Sequence, residues 1–145
     1  MCIGQKKIAQ ENIHQKIFLS RKNCSNQRLI NFAEIEQLFQ EYGFHIIYPD
    51  GLSLEEQIET FNGADYIAGC TGGAFTNLVY CHEGATAVII APPTHKLYCF
   101  TNIAFMLHVG VTVLESCTVD EGVARSQDKF ELDLVKCRQF LESII

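Results

Sequence analysis

The chain has 145 residues, 48% of them apolar and 19% charged, which suits one globular domain around a single core and leaves no room for two. Lys and Arg number 11 against 17 Asp and Glu, a formal charge of −6, so the chain has no broad attraction for a phosphodiester backbone and no nucleic-acid partner is expected. Met1 to Lys7 lacks the continuous apolar run of a signal peptide, and no stretch approaches the ~20 apolar residues of a membrane span, so the expectation is a cytoplasmic protein.

Seven cysteines (2, 24, 70, 81, 99, 117 and 137) are scattered without a CxxC pair, and their odd number does not close a disulfide framework. Reduced thiols fit that spacing. Cys81-His82 is the one fragment suggestive of a metal site, but adjacent residues on a helix point apart and no second ligand pair stands at a suitable distance, so no metal is expected.

Residues 1–15 read as a tail or lead-in helix, and 16–145 as a single domain. Ile17 to Ser20 is predicted as a strand. Beyond a polar stretch from Arg21 to Gln27, Asn31 and Glu34 stand at capping distance before a helix with Ile35, Leu38, Phe39 and Tyr42 on one face, which Gly43 stops. Phe44 to Tyr48 is a second strand. Pro49-Asp50-Gly51 turns the chain into a helix capped by Ser53 and Glu56, with Leu54, Ile58 and Phe61 as its buried side.

Ala64 to Gly69 forms a third strand, and Gly72-Gly73 opens a helix through Leu78 and Tyr80. The nearly all-apolar run Ala85 to Ala91 has the character of a strand buried on both faces. A helix over Leu97 to Leu107, a strand over Val109 to Leu114, a polar link from Asp120 to Asp128 and a helix carrying Phe130, Leu134, Phe140, Leu141 and Ile144 complete the chain. Alternating strands and helices make a doubly wound, mainly parallel α/β sheet with helices on both faces the expected fold. Such sheets bind ligands beyond the carboxyl ends of their strands.

Three segments fall there: Ser20-Arg21 with Arg28, the loop Gly69 to Asn77, and Pro92 to Lys96. In the glycine loop, N–H groups at a helix start would face an anion, Gly72 and Gly73 permit close approach, and Thr71 and Thr76 offer hydroxyls. A tight strand-to-helix turn would explain the glycines equally well. Neither a Walker A sequence nor GxGxxG is present. Guanidinium forks at Arg21 and Arg28 suit diphosphate oxygens, the alternative being solvated loop arginines. Asn31 and Asn77 could bind a ligand or cap a helix, Gln57 reads as a helix glutamine facing water, and the five histidines show no catalytic pairing.

Ser20-Arg21, Arg28-Leu29-Ile30-Asn31, Gly43-Phe44 with Pro49, Gln57-Ile58 with Phe61, GCTGGAFTNLVY and Gly84 to Pro92 occur in an order that resembles glycosyltransferase family 61, over roughly residues 17 to 115. The resemblance implies the C-terminal, Rossmann-like half of a GT-B enzyme, which would bind a nucleotide diphosphate sugar as donor substrate, with a saccharide as acceptor and no separate cofactor. It assigns Ser20, Arg21, Arg28, Asn31, Gly69, Thr71, Gly72, Gly73, Thr76 and Asn77 to the donor and its phosphates, and leaves the catalytic residues unassigned. The sequence departs from the family pattern at Thr71, where members carry His, and at Ile89-Ile90, where many carry Glu. A transferase half completed by a separate N-terminal half and a non-catalytic module that self-associates as a homodimer are the two readings that follow.

Overall fold

The computed structural model describes residues 15–22, 27–120 and 128–144. Five strands, β1 (Lys16–Leu19), β2 (His45–Ile47), β3 (Tyr66–Cys70), β4 (Thr86–Ala91) and β5 (Gly110–Glu115), form one sheet in the order β2-β1-β3-β4-β5. Every neighbouring pair is parallel. The expected α/β, Rossmann-like sheet is therefore present, and its strand order reverses between β1 and β3. The lead-in segment lies outside the described residues, as does most of the polar stretch after Lys22.

The period-two alternation of the strands divides the core between the two faces of the sheet. Ile17, Leu19, Ile67, Ala87 and Ile89 face one layer, built from α2 (Leu54–Asn62), a 3₁₀ helix (Gly73–Tyr80) and α3 (Tyr98–Met106), through Phe61, Phe75, Leu78, Phe100 and Ala104. Phe18, Ala68, Val88 and Ile90 face the other, where α1 (Phe32–Glu41) and α4 (Leu134–Ile144) contribute Ile35, Leu38, Phe39, Cys137 and Leu141. On this second face Phe39 packs with its ring centroid 4.7 Å from Phe18 and 4.9 Å from Phe44, so side chains from α1, β1 and the lead into β2 bury one another.

Four local expectations are corrected. Asn31 precedes α1 but its side chain makes no cap, because Leu132 takes both ends of its amide. On α2 only Phe61 is buried; Leu54 and Ile58 are 61% and 39% exposed, since the neighbouring 3₁₀ helix covers one edge of α2 rather than its full apolar stripe. The segment after Gly72 is a 3₁₀ helix. Phe130 belongs to no helix: it sits on β7 (Lys129–Glu131), which pairs antiparallel with β6 (Cys117–Asp120) in a small second sheet, while α4 begins at Leu134. Ser53 and Glu56, by contrast, form the expected capping box, Glu56 N–H donating to Ser53 Oγ at 3.2 Å and Ser53 N–H to Glu56 Oε2 at 2.7 Å.

The β7 segment has a consequence for the site, because Phe130 forms an isolated parallel bridge with Leu29. Phe130 N–H donates to the Arg28 carbonyl at 3.0 Å, and Ile30 N–H donates to the Phe130 carbonyl at 2.9 Å. Asn31 Nδ2 then donates to the Leu132 carbonyl at 2.8 Å and its Oδ1 accepts from Leu132 N–H at 3.3 Å. Arg28 to Asn31 is thereby clamped from the far end of the chain.

Candidate functional site

A cleft of about 250 Å³ opens at the carboxyl ends of β1, β2 and β3, lined by Leu19, Ser20, Arg21, Pro49, Asp50, Cys70, Gly72, Gly73 and Ala74. Its position is set by register: Leu19 lies opposite Ile47 on one side and Gly69 on the other, so all three chains leave the sheet at one level. Gly69 suits that packing, since a Cβ there would come within 3.1 Å of both Cβ and the carbonyl oxygen of Leu19, a contact that β1 would have to yield by a few tenths of an ångström to admit. Its role is to let β1 and β3 pair closely beneath the cleft.

Arg21 crosses from β1 to the glycine loop, where its Nη1 donates to the Thr71 carbonyl at 3.0 Å. Thr71 N–H is already committed to the Ile90 carbonyl at 2.9 Å, so the loop is tied to β4 on one side and to Arg21 on the other. Gly72 is extended, and what requires glycine there is contact: a Cβ would fall on the Arg21 guanidinium. Gly73 meets nothing within 4 Å and opens the 3₁₀ helix without a side-chain cap. The early N–H groups of that helix therefore begin at the wall of the cleft.

Ser20 is buried, its Oγ donating to Glu36 Oε1 and accepting from Lys22 N–H at 3.1 Å. Glu36 thus brings a carboxylate from α1 to the Ser20 hydroxyl at the end of β1. Arg28 stands near enough to interact with Arg21: burial of its guanidinium, then the positive charge of Arg21, lower its pKa from the ordinary value, with Cys70 opposing. Burial pushes the Cys70 thiol up to about 12, the attraction of Arg21 and Arg28 reducing that shift without reversing it. Cys70 is protonated near neutral pH and is not a ready nucleophile.

The three segments singled out by sequence do not converge in full. Ser20, Arg21, Gly72 and Gly73 line the cleft, with Thr71 anchoring it and Arg28 close by. Thr76 turns its hydroxyl to the Gly73 carbonyl at 2.7 Å, and Asn77 is half-buried in the 3₁₀ helix; neither lines the cleft. Asn31 is held by Leu132. The Pro92 to Lys96 segment borders a separate, more open cleft of about 460 Å³ with Leu97, Tyr98 and Thr101, where Thr94 Oγ1 donates to Asp128 Oδ2 at 3.0 Å.

Sequence reasoning missed Glu36, Pro49, Asp50 and Cys70. The signal for Pro49 and Asp50 was their place just after β2, next to β1, which a reading of them as turn residues passes over. Gln57 belongs with them. Far from facing water, its Nε2 donates to the Leu52 carbonyl at 3.1 Å and the Pro49 carbonyl at 3.4 Å, stapling the turn that carries Asp50.

His82 lies elsewhere, with Nδ1 2.8 Å from the Glu83 carbonyl and Nε2 3.0 Å from Asp65 Oδ1. Both partners accept, which favours the imidazolium and raises its pKa, the Glu83 carbonyl contributing most. Among the described residues no three His, Cys, Asp or Glu side chains gather as metal ligands would, and no helix is long and apolar enough to cross a membrane.

The sequence model of the glycosyltransferase 61 family matches residues 3–89, more than half of the chain. The chain belongs to the glycosyltransferase 61 family. The match begins earlier than the motifs placed it and ends within β4, so it takes in Ser20, Arg21, Arg28 and the glycine loop but not α3, β5 or the β6/β7 pair. No curated protein matches the chain. A glycosyltransferase-like function follows from membership. Where members of the family resembled by the motifs carry His, Thr71 is 8% exposed and bound through its backbone, and Ile89 and Ile90 are fully buried. None of these positions presents a base.

Proposed function

We propose that this domain binds the diphosphate of a nucleotide sugar at the β1/β3 switch point, as the C-terminal, donor-binding half of a GT-B-like transferase. The observation that carries the reading is the convergence of Arg21, the Gly72-Gly73 turn and the start of a 3₁₀ helix on one cleft, with Arg28 near enough to feel the charge of Arg21. An anion in the cleft is attracted by Arg21, and the charge of Arg28 adds to that attraction. In sugar transfer to an acceptor hydroxyl, negative charge develops on the departing diphosphate, and arginines with oriented N–H groups stabilise it there. Thr71 has no basic group to take the acceptor proton, so transfer draws on a separate N-terminal half for the acceptor site and its base.

Calorimetry with uridine and guanosine diphosphate tests the site. Binding is expected, and Arg21→Ala and Arg28→Ala should each weaken it by about 1.5–3 kcal/mol, the worth of a charge-assisted contact. Absence of binding up to millimolar diphosphate overturns the proposal.

One observation favours a second reading, in which the domain is a non-catalytic, self-associating module. The layer of α2, the 3₁₀ helix and α3 leaves Leu54, Ile58, Val79, Phe105 and Met106 exposed, Phe105 to 84%. Large apolar side chains so placed become interfaces, for a second copy of the chain or for the N-terminal half. Light scattering separates the two: a mass of twice 16.3 kDa supports the homodimer, and a monomer leaves the face to the transferase half.

A further inference from the structure

Ser20 stands where β1 gives way to the wall of the cleft, and both its backbone N–H and its hydroxyl are engaged. The N–H donates to the Ile47 carbonyl at 2.8 Å, which extends the β1/β2 ladder by one bond. The hydroxyl, on a residue only 5% exposed, donates to Glu36 Oε1 and accepts from Lys22 N–H at 3.1 Å. A hydroxyl has one proton to give, so giving it to Glu36 leaves the oxygen's lone pairs to Lys22. The bond to Lys22 closes a short turn around Arg21, the residue between them.

Glu36 reaches that turn from α1, the helix into which Arg28 to Asn31 lead. Its bond to Ser20 therefore ties together the two segments that carry Arg21 and Arg28, apart from the bridge that β7 makes to the second of them. Beyond its burial, the Cys70 thiol in the lining of the cleft feels Arg21, then Glu36 and Arg28, so all three charges lie within electrostatic reach of one group. Glu36 itself does not line the cleft. A carboxylate lowers the positive potential that such a cleft offers an anion, so its charge alone is a disadvantage there. What the cleft gains from it is an acceptor that fixes the Ser20 hydroxyl.

Resting on the diphosphate reading above, we propose that Glu36 is a positioning residue of the anion cleft: through the Ser20 hydroxyl it sets the turn that aims Arg21 at the glycine loop and at a diphosphate held there. Its acceptor oxygen performs that role, and its charge does not.

The test is a calorimetric titration of uridine diphosphate into the wild-type chain, Glu36→Ala, Glu36→Gln and Ser20→Ala, with Glu36→Ala repeated in an Arg21→Ala background. Glu36→Ala and Ser20→Ala should each weaken binding roughly three- to tenfold, the worth of one hydrogen bond. Glu36→Gln keeps an acceptor oxygen and sheds the charge, so it should bind as the wild type does or more tightly. Without Arg21 the loss from Glu36→Ala should vanish, since the side chain it positions is gone. Amide exchange at Lys22, followed by NMR without ligand, should quicken in Glu36→Ala and Ser20→Ala and stay slow in Glu36→Gln. Should Glu36→Ala not fold, Ser20→Ala and Glu36→Gln carry the same comparison. Unchanged affinity in Glu36→Ala and Ser20→Ala, equal weakening by Glu36→Ala and Glu36→Gln, or a loss that persists in full without Arg21 overturns the role of Glu36 and leaves the anion site standing. Failure of the wild type to bind uridine diphosphate up to millimolar concentration removes the diphosphate reading, and the positioning role with it.

Discussion

Arg21 and Arg28 are close in sequence and near each other in space, yet different parts of the molecule hold them. Arg21 follows β1 directly and is fixed by parallel pairing and by the Thr71 carbonyl, all within the stretch that matches the family. Arg28 stands beyond a polar loop and owes its place to Phe130 and, through Asn31, to Leu132, both outside that stretch. The difference teaches that one wall of the site is built by the sheet, and the neighbouring cation is delivered by a clamp from the C-terminal segment.

The sharpest way to break the comparison is at the glycine turn. Gly72→Ala would force the Arg21 guanidinium aside, whereas Gly73→Ala meets open space. Because the atoms in the way are the far end of a flexible side chain, the fold should hold. Diphosphate affinity should fall by about 1.5–3 kcal/mol in Gly72→Ala, as if Arg21 were lost, and stay unchanged in Gly73→Ala. Equal effects from both variants in a calorimetric titration would show that Arg21 does not depend on the turn.

A smaller effect is expected from the clamp. Asn31→Ala removes two hydrogen bonds to Leu132 and should lower unfolding free energy by about 1–2 kcal/mol, measured by urea titration. If the clamp positions Arg28, the same variant should also reduce the loss caused by Arg28→Ala, a non-additivity that a double-mutant cycle reads directly. Strict additivity would mean that Arg28 is held by its own surroundings.

Cys70, which senses both arginines, supplies the smallest effect. Its thiol is raised from 9.0 to about 12 by burial, so the native state keeps a proton that the unfolded chain releases once pH passes about 9. Stability from this group is complete below pH 9 and is lost progressively as pH rises toward 12. By pH 9.5 the loss is under about 1 kcal/mol. Urea midpoints at pH 8 and 9.5 should therefore converge in Cys70→Ala more than in the wild type; the buried thiols Cys81 and Cys137, also raised to about 12, remain in both. An unchanged pH dependence in the variant would mean that the Cys70 thiol is not shielded.

The sequence by itself determined the sheet and half of the site. Runs such as Ala85 to Ala91 have one favourable outcome, burial on both faces, and Ser53 with Glu56 encodes a cap that closes locally whatever surrounds it. Ser20-Arg21 and Gly72-Gly73 were legible because each directly follows a strand, and strand ends in a parallel sheet share one edge. Local pattern could not show that Phe130 leaves the last helix to bridge Leu29, that Asn31 turns from capping to Leu132, or that Gln57 supports Asp50. Those are contacts between segments far apart in the chain or between a side chain and a turn, and an amide or carboxylate carries no mark in sequence of which partner will satisfy it. Tertiary structure decided them because a buried polar group takes the partner that packing brings within reach.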